Sequence, residues 1–169
     1  MSNIYFKFKQ FTVYQDRCAM KVGTDGTLLG AWTDVTKSRT ILDIGTGTGL
    51  IALMLAQRSL TTQITAIDID MDSVMQAESN VALSPWRDRI KILCSSLQDF
   101  NGSGYDTIVS NPPYFVNSLK CPNGHRTLAR HTASLSYKDL FDGVTRMLSD
   151  DGEFSVIIPF DCRDQMNSE

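Results

Sequence analysis

Long apolar runs are missing from this chain of 169 residues. Nowhere does an unbroken apolar stretch approach the roughly 18–20 residues of a membrane span, so no membrane partner is expected. The N-terminus, MSNIYFKFKQ, lacks the apolar core of a secretory leader. Cysteine is sparse. Cys18, Cys94, Cys121 and Cys162 are too scattered for a zinc knuckle or a dense disulfide scaffold. Reduced thiols, a cytoplasmic location and no bound metal are the expectation. Internal repeats, low-complexity tracts and long linkers are absent as well. What is present, 42% apolar and 21% charged residues, is the composition of an ordinary globular chain. The length suits a single domain, and a monomer is expected.

Acidic residues are missing from two stretches of a chain whose net charge is −3. Between Asp106 and Asp139 there is none, while Lys120, Arg126, Arg130 and Lys138 fall there together with both histidines, His125 and His131. The first fifteen residues carry Lys7 and Lys9 against no acid. Basic zones on an acidic body point to an anionic partner held at a defined place.

The apolar pattern alternates short strands with helices. Thr40–Ile44 reads as a first strand, Leu50–Ala56 as a helix, and Ile64–Ile67 as a second strand closed by Asp68. Asp70 or Asp72 can cap a helix running through Val81, since its side-chain oxygen can accept from the orphan amides. Ile90–Leu93, Thr107–Val109 and Phe154–Ile158 follow as strands, with a helix over Tyr137–Leu148. Such alternation predicts an α/β fold, a mostly parallel sheet with helices on both faces. Right-handed crossovers then gather the loops after the strands along one rim, where ligands bind. Gly26–Trp32 reads as a short helix behind an N-terminal arm that is either a strand or an extended lid, with Phe6 and Phe8 packed beneath it. Residues 1–34 would form this arm and helix, and residues 35–169 the core. Only the polar tail DCRDQMNSE follows the fifth strand, so the sheet is expected to lack its closing C-terminal strands.

Asp43-Ile44-Gly45-Thr46-Gly47-Thr48-Gly49 joins the first strand to a helix. Glycines there permit positive φ and let a ligand approach the backbone, and the helix N-terminus presents free amides to a negative group. The dinucleotide fingerprint G-x-G-x-x-G/A fails from Gly45, where its sixth position is Leu50; it fits from Gly47, but begins past the strand end. Asp68 stands about 20 residues on, where a carboxylate can accept both hydroxyls of a ribose. That supports a nucleoside cofactor without choosing between nicotinamide and S-adenosylmethionine. Asp43-Ile44-Gly45-x-Gly47-x-Gly49 resembles motif I of the class I S-adenosylmethionine-dependent methyltransferases, whose glycines pass beneath the cofactor's methionine. By that resemblance Asp43 shapes the loop through hydrogen bonds, and Ile69 is among the cofactor-binding residues.

Asn111-Pro112-Pro113-Tyr114 follows the fourth strand. Two prolines fix φ and leave their carbonyls free. The Asn111 side-chain oxygen and the Pro112 carbonyl can each accept one N–H of an exocyclic amine, while Tyr114 stacks on a base. Positioning supplies most of the catalysis there, because a sulfonium methyl is already a strong electrophile. The tetrapeptide resembles motif IV of the amino methyltransferases, which act on adenine N6, cytosine N4, guanine N2 or glutamine amides.

The flanks choose among these. Phe6-Lys7-x-Lys9-Gln10-Phe11, then Asp16-Arg17-Cys18-Ala19-Met20-Lys21-Val22-Gly23-Thr24-Asp25-Gly26, and Leu28–Trp32 closely resemble the bacterial tRNA-valine adenine-N6 methyltransferases. The likeness runs from about Phe6 to Ile158, and 16–32 is its most specific block. It implies a Rossmann-like class I methyltransferase fold, S-adenosylmethionine as methyl donor with S-adenosylhomocysteine as product, and the tRNA adenosine just 3′ of the anticodon as substrate. It also implies that Lys21, Gly23, Thr24 and Asp25 line and close the cofactor pocket; Thr24 or Asp25 would in addition cap the following helix. Family members often carry an acid near the adenine ring at the third strand's end. Here Ser96 stands there, followed by Leu97, which leaves a serine hydroxyl and a backbone amide for the contact. Lys120, Arg126 and Arg130, with Lys7 and Lys9, would bind RNA phosphates, and His125 or His131 would stack on a base. A protein glutamine methyltransferase is the alternative enzyme, although 39 residues before the first strand leave little room for its usual N-terminal helical domain. A non-catalytic RNA-binding module of the same fold is disfavoured by the intact Asn111–Tyr114 and Asp68. A nicotinamide oxidoreductase would have no use for that tetrapeptide.

Overall fold

The computed structural model describes residues 3–112, 135–160 and 163. An antiparallel hairpin of β1 (Tyr5–Lys7) and β2 (Thr12–Tyr14) opens the chain, followed by helix α1 (Thr24–Trp32). The core then runs β3 (Thr40–Ile44), α2 (Leu50–Arg58), β4 (Gln63–Asp68), α3 (Met71–Ala82), β5 (Ile90–Cys94), β6 (Tyr105–Ser110), α4 (Tyr137–Met147) and β7 (Leu148–Val156). The five core strands form one sheet in the order β5-β4-β3-β6-β7, and each neighbouring pair is parallel.

Strands buried on both faces need apolar side chains on both, and β3, β4 and β6 supply them. Ile41, Ile64, Ala66 and Val109 pack on one face against α2, Leu29 of α1, Val81 of α3, and Phe11 and Val13 of the hairpin region. Leu42, Ile44, Ile67 and Ile108 pack on the other against Leu97 and the α4 residues Leu140, Val144 and Met147. The N-terminal arm therefore shares the core of the sheet. Gly30 lets α1 and α2 approach closely, since a Cβ there would stand 2.8 Å from Met54 Sδ. Arg58 at the end of α2 donates to the carbonyls of Gly30 (2.9 Å) and Thr33 (2.6 Å), satisfying the last turn of α1.

Strand order reverses at β3: the chain leaves it for β4 on one side, and later returns to β6 on the other. The C-terminal rim beside β3 and β6, where the order reverses, is therefore the expected ligand crevice, the usual position in such sheets.

Two elements differ from the sequence expectations. The last strand begins at Leu148 rather than Phe154, because α4 stops at Met147 and Leu148 is already extended (φ −69°, ψ 143°). Its register jumps, with Leu148 opposite Tyr105 but Glu153 opposite Thr107, so the polar Ser149–Gly152 segment bulges between them. Helix α1 starts at Thr24, and its N-cap is Gly23 with no side-chain cap; neither Thr24 nor Asp25 serves that role. The first turn begins with Thr27 donating from both N and Oγ1 to the Gly23 carbonyl, at 3.2 and 2.9 Å.

Candidate functional site

The glycine loop is held as a rigid cradle. Gly45, Gly47 and Gly49 all have positive φ (72°, 55° and 80°), the left-handed region that L side chains avoid. Gly45 and Thr46 both donate to the Ile67 carbonyl of β4 (2.9 and 3.0 Å), and Gly49 donates to Thr46 O at 2.9 Å. The three glycines then divide by what surrounds them. A Cβ on Gly45 or Gly47 would meet nothing within 4 Å, whereas one on Gly49 would touch Ala77 Cβ at 3.4 Å. Gly49 thus faces α3, while Gly45 and Gly47 face open space.

Two carboxylates hold the loop from below and from the side. Asp43 is fully buried; its Oδ2 accepts from Thr46 Oγ1 at 2.7 Å, and Oδ1 has no hydrogen-bond partner. Burial pushes its carboxyl up to about 7, opposed by the Thr46 hydroxyl and the Ala52 amide and reinforced by the charge of Asp68. The Ala52 N–H acts electrostatically there, short of full hydrogen-bond geometry. Asp68 ends β4 half-buried, with Oδ2 accepting from Gly47 N (2.8 Å) and Oδ1 from Asp70 N (3.0 Å). Burial raises its carboxyl too, against the lowering by those two amides. Asp68 therefore fixes the Gly47 peptide as well as offering lone pairs to a diol, since each carboxylate oxygen can accept a second bond. Asp70 caps α3, accepting from Ser73 N at 3.1 Å.

Across the crevice, Ser110 ends β6 with its hydroxyl donating to Ile44 O at 3.0 Å, which locks β6 to β3 just before Asn111 and the buried Pro112. A Cβ on Gly26 would lie 3.4 Å from Leu50 Cδ2 and 3.7 Å from Asn111 Nδ2. The first turn of α1 therefore lies within van der Waals reach of both the start of α2 and Asn111. Lys21, Gly23, Thr24 and Asp25 lead into this turn at its surface.

At the ends of β4 and β5 an open cavity of about 310 Å³ is lined by Ile69, Cys94, Ser95, Ser96 and Asp99. Ile69 is exposed (52%) beside Asp68. Ser96 Oγ donates to Asp99 Oδ2 at 2.6 Å and accepts from Asp99 N at 3.1 Å, so an acid stands at the serine's side three residues on. Asp99 was not legible as a site residue; its signal is the S-x-x-D spacing, which folds one side chain back on the other. Leu97, in contrast, is core: its side chain is buried, a Cβ on Gly143 would stand 2.8 Å from it, and its carbonyl accepts from Arg146 Nη2 at 3.0 Å.

A second unforeseen residue is Asn80 of α3, which is buried. Its Oδ1 accepts from Tyr14 N (2.9 Å), and its Nδ2 donates to Tyr14 O and to Thr48 O (2.8 Å each). One carboxamide ties the N-terminal hairpin to the glycine loop. Nearby, Cys18 is a buried free thiol; burial pushes it up, Ser73 opposes this, and Asp68, Asp70 and Asp16 add to the rise.

Gly26, Asp43, Gly45, Gly47, Asp68 and Asn111 thus lie around the glycine loop at the C-terminal rim of the sheet, and Ile69 and Ser96 line the cavity at the ends of β4 and β5. Lys7 and Lys9 lie apart, on the hairpin. Pro113, Tyr114, Lys120, His125, Arg126, Arg130 and His131 lie outside the described residues. Among the described residues no group of three or more His, Cys, Asp or Glu side chains is placed to hold a metal, and no helix is long and apolar enough to cross a membrane.

The family model of the methyltransferase small domain matches residues 18–160. The chain belongs to this family. Within it, the chain is 59% identical to the tRNA1(Val) (adenine(37)-N6)-methyltransferase of Phocaeicola vulgatus, over 95% of its own length and 69% of that relative. It is 56% identical to the enzyme of the same name from Trichodesmium erythraeum, over 94% and 69%. Solved structures of methyltransferases share the fold. A ribosomal protein L11 methylase from Lactobacillus delbrueckii superposes with a TM-score of 0.58 at 21% identity, covering 85% of this chain and 63% of that one. An O-methyltransferase from a Brevibacillus brevis multienzyme, in complex with S-adenosyl-L-homocysteine, gives 0.58 at 16%, covering 79% and 40%. The open face over Gly45 and Gly47 leaves space for the methionine part of an S-adenosyl cofactor, and the carboxylate at Asp68 has lone pairs to offer its ribose.

Proposed function

We propose that this chain transfers a methyl group from S-adenosylmethionine to N6 of the tRNA adenosine at position 37, next to the anticodon, as its relatives' names describe for them. The observation that carries this reading is the placement of Asn111 at the crevice, against Gly26 and the start of α2. Bound S-adenosylmethionine supplies an electrophilic methyl on sulfur. The Gly45 and Gly47 backbone admits its methionine part, because no side chain fills that space. Asp68 accepts from the ribose hydroxyls through its remaining lone pairs, already oriented by Gly47 and Asp70. Ile69 offers an apolar flank to the adenine, and the Ser96–Asp99 pair an acceptor for its exocyclic amine.

Asn111 Oδ1 and the Pro112 carbonyl each accept one N–H of the substrate adenine. Holding both hydrogens in place directs the nitrogen lone pair at the methyl carbon. Such alignment is where the rate enhancement arises, and no side chain with a tuned pKa is required. The nitrogen sheds a proton to water after transfer, once methylation has made it acidic. Tyr114 stacks on the unpaired base and the Lys120, Arg126 and Arg130 stretch holds flanking phosphates.

The test is transfer of tritium from labelled cofactor to total tRNA of a strain lacking the modification. Label recovered in tRNA supports the reading; label recovered in protein glutamine with none in tRNA refutes it.

A further inference from the structure

We propose that the outer face of the N-terminal hairpin is a contact surface for the RNA substrate, on which Tyr5 and Tyr14 stack an unpaired base while Lys7 meets a neighbouring phosphate. The proposal rests on the tRNA reading above and assigns that substrate a place to bind beyond the catalytic crevice.

Strand alternation sorts the hairpin into two faces. Register sets Tyr5 opposite Tyr14, Phe6 opposite Val13 and Lys7 opposite Thr12. Val13 points inward and is completely buried in the core. Tyr5, Tyr14 and Lys7 therefore share the opposite face, and both tyrosines are exposed, at 44% and 40%. Their ring centroids stand 6.0 Å apart with planes tilted at 51°. No acidic residue occurs in the first fifteen positions, and Lys7 and Lys9 form no ion pair among the described residues. Aromatic faces beside unpaired cations match a polyanion that carries flat bases.

The platform is also built to stay in place. Phe8 N donates to Phe11 O, and Gln15 N to Ile4 O, both at 2.8 Å; Phe8 and Phe11 stack beneath at 4.6 Å. Asn80 binds Tyr14 N and O while its Nδ2 also holds Thr48 O. Asn80 thus ties the hairpin backbone to the glycine loop. The tyrosine rings themselves contribute little to the core, so their removal leaves the fold intact.

The experiment is filter binding of unmodified tRNA to the whole chain at several salt concentrations, with variants Y5A/Y14A, Y5F/Y14F and K7Q, and cofactor affinity measured alongside. The double alanine variant should bind tRNA on the order of 10-fold more weakly or worse, as loss of base stacking predicts, with an unchanged log–log salt slope and unchanged cofactor affinity. The double phenylalanine variant should stay near the parent. K7Q should flatten the slope by roughly 0.7–0.9. Parental tRNA binding by Y5A/Y14A at every salt overturns the proposal, with or without a change in oligomeric state by light scattering; a change would mark the pair as a face for a second copy. If the parent chain itself binds cofactor but no tRNA, the tRNA reading falls first and this surface with it.

Discussion

Replacing Gly47 by alanine separates a loop that cradles a cofactor from one that merely turns. Gly47 sits at φ 55°, where an L side chain costs about 1–2 kcal/mol. No atom lies within 4 Å of the added Cβ, so packing adds nothing to that figure. For a domain of this size such a loss lowers Tm by roughly 2–8 °C, taking about 2–4 °C per kcal/mol. The methyl would stand in the open space over the loop and crowd a bound cofactor, at the cost of an overpacked contact, about 1–3 kcal/mol or roughly 5- to 150-fold in affinity. Gly49→Ala is the control. Its φ of 80° brings a similar strain, but its Cβ turns to Ala77 at 3.4 Å, away from the crevice. Thermal melts and isothermal calorimetry with S-adenosylhomocysteine would show both variants less stable and only Gly47→Ala impaired in binding. If Gly47→Ala bound the cofactor like the parent, or Gly49→Ala lost as much, the cradle would not be the cofactor's seat.

Asn111→Ala should lower single-turnover rates on saturating tRNA on the order of 100-fold with near-parental cofactor affinity; a parental rate would remove Asn111 from the chemistry. Burial holds Asp43 up to about 7 and raises Asp68. A sulfonium cation favours their ionised forms, so S-adenosylmethionine should bind more tightly as pH rises toward 8, and the uncharged-sulfur product should respond less; equal pH profiles in calorimetry would contradict this. The same shift makes the protonated Asp43 carboxyl favour the fold, so its contribution is full below about 4 and lost as pH climbs through 7. Denaturant titrations of Asp43→Asn should lack that decline. Replacing Lys120, Arg126 and Arg130 together by glutamine should weaken tRNA binding and reduce the salt slope by roughly 0.7–0.9 per lost phosphate contact; an unchanged slope would move the RNA surface elsewhere.

The readable parts of this protein are those where local chemistry and tertiary role coincide. β3 and β4 were visible because β-branched runs end abruptly at Gly45 and Asp68, and both ends are also where the loop is built. Asp70 was one of two possible caps, and the backbone made the choice by leaving it extended ahead of Met71. The start of β7 was not readable, since Ser149–Gly152 has the composition of a turn and pairs only through its flanks. Asn80 was hidden for a different reason. A polar residue on a helix of mixed hydropathy reads as solvent-facing, and only its spacing from Val74 and Ala77 places it on the buried side, where it can bridge hairpin and loop. Asp99 required knowing that the turn after β5 brings it back to Ser96. Motif residues announced the chemistry; the side chains that aim them emerged only with the fold.

Where the methyl group goes decides between these readings. Two transcripts of the valine tRNA, identical except for adenosine or guanosine at position 37, the site in the names of the relatives, would be incubated with the chain and labelled S-adenosylmethionine, digested, and their nucleosides separated. N6-methyladenosine is expected from the first transcript and no label in the second. Equal labelling of both, or label in neither while protein glutamine is methylated, would contradict the tRNA reading.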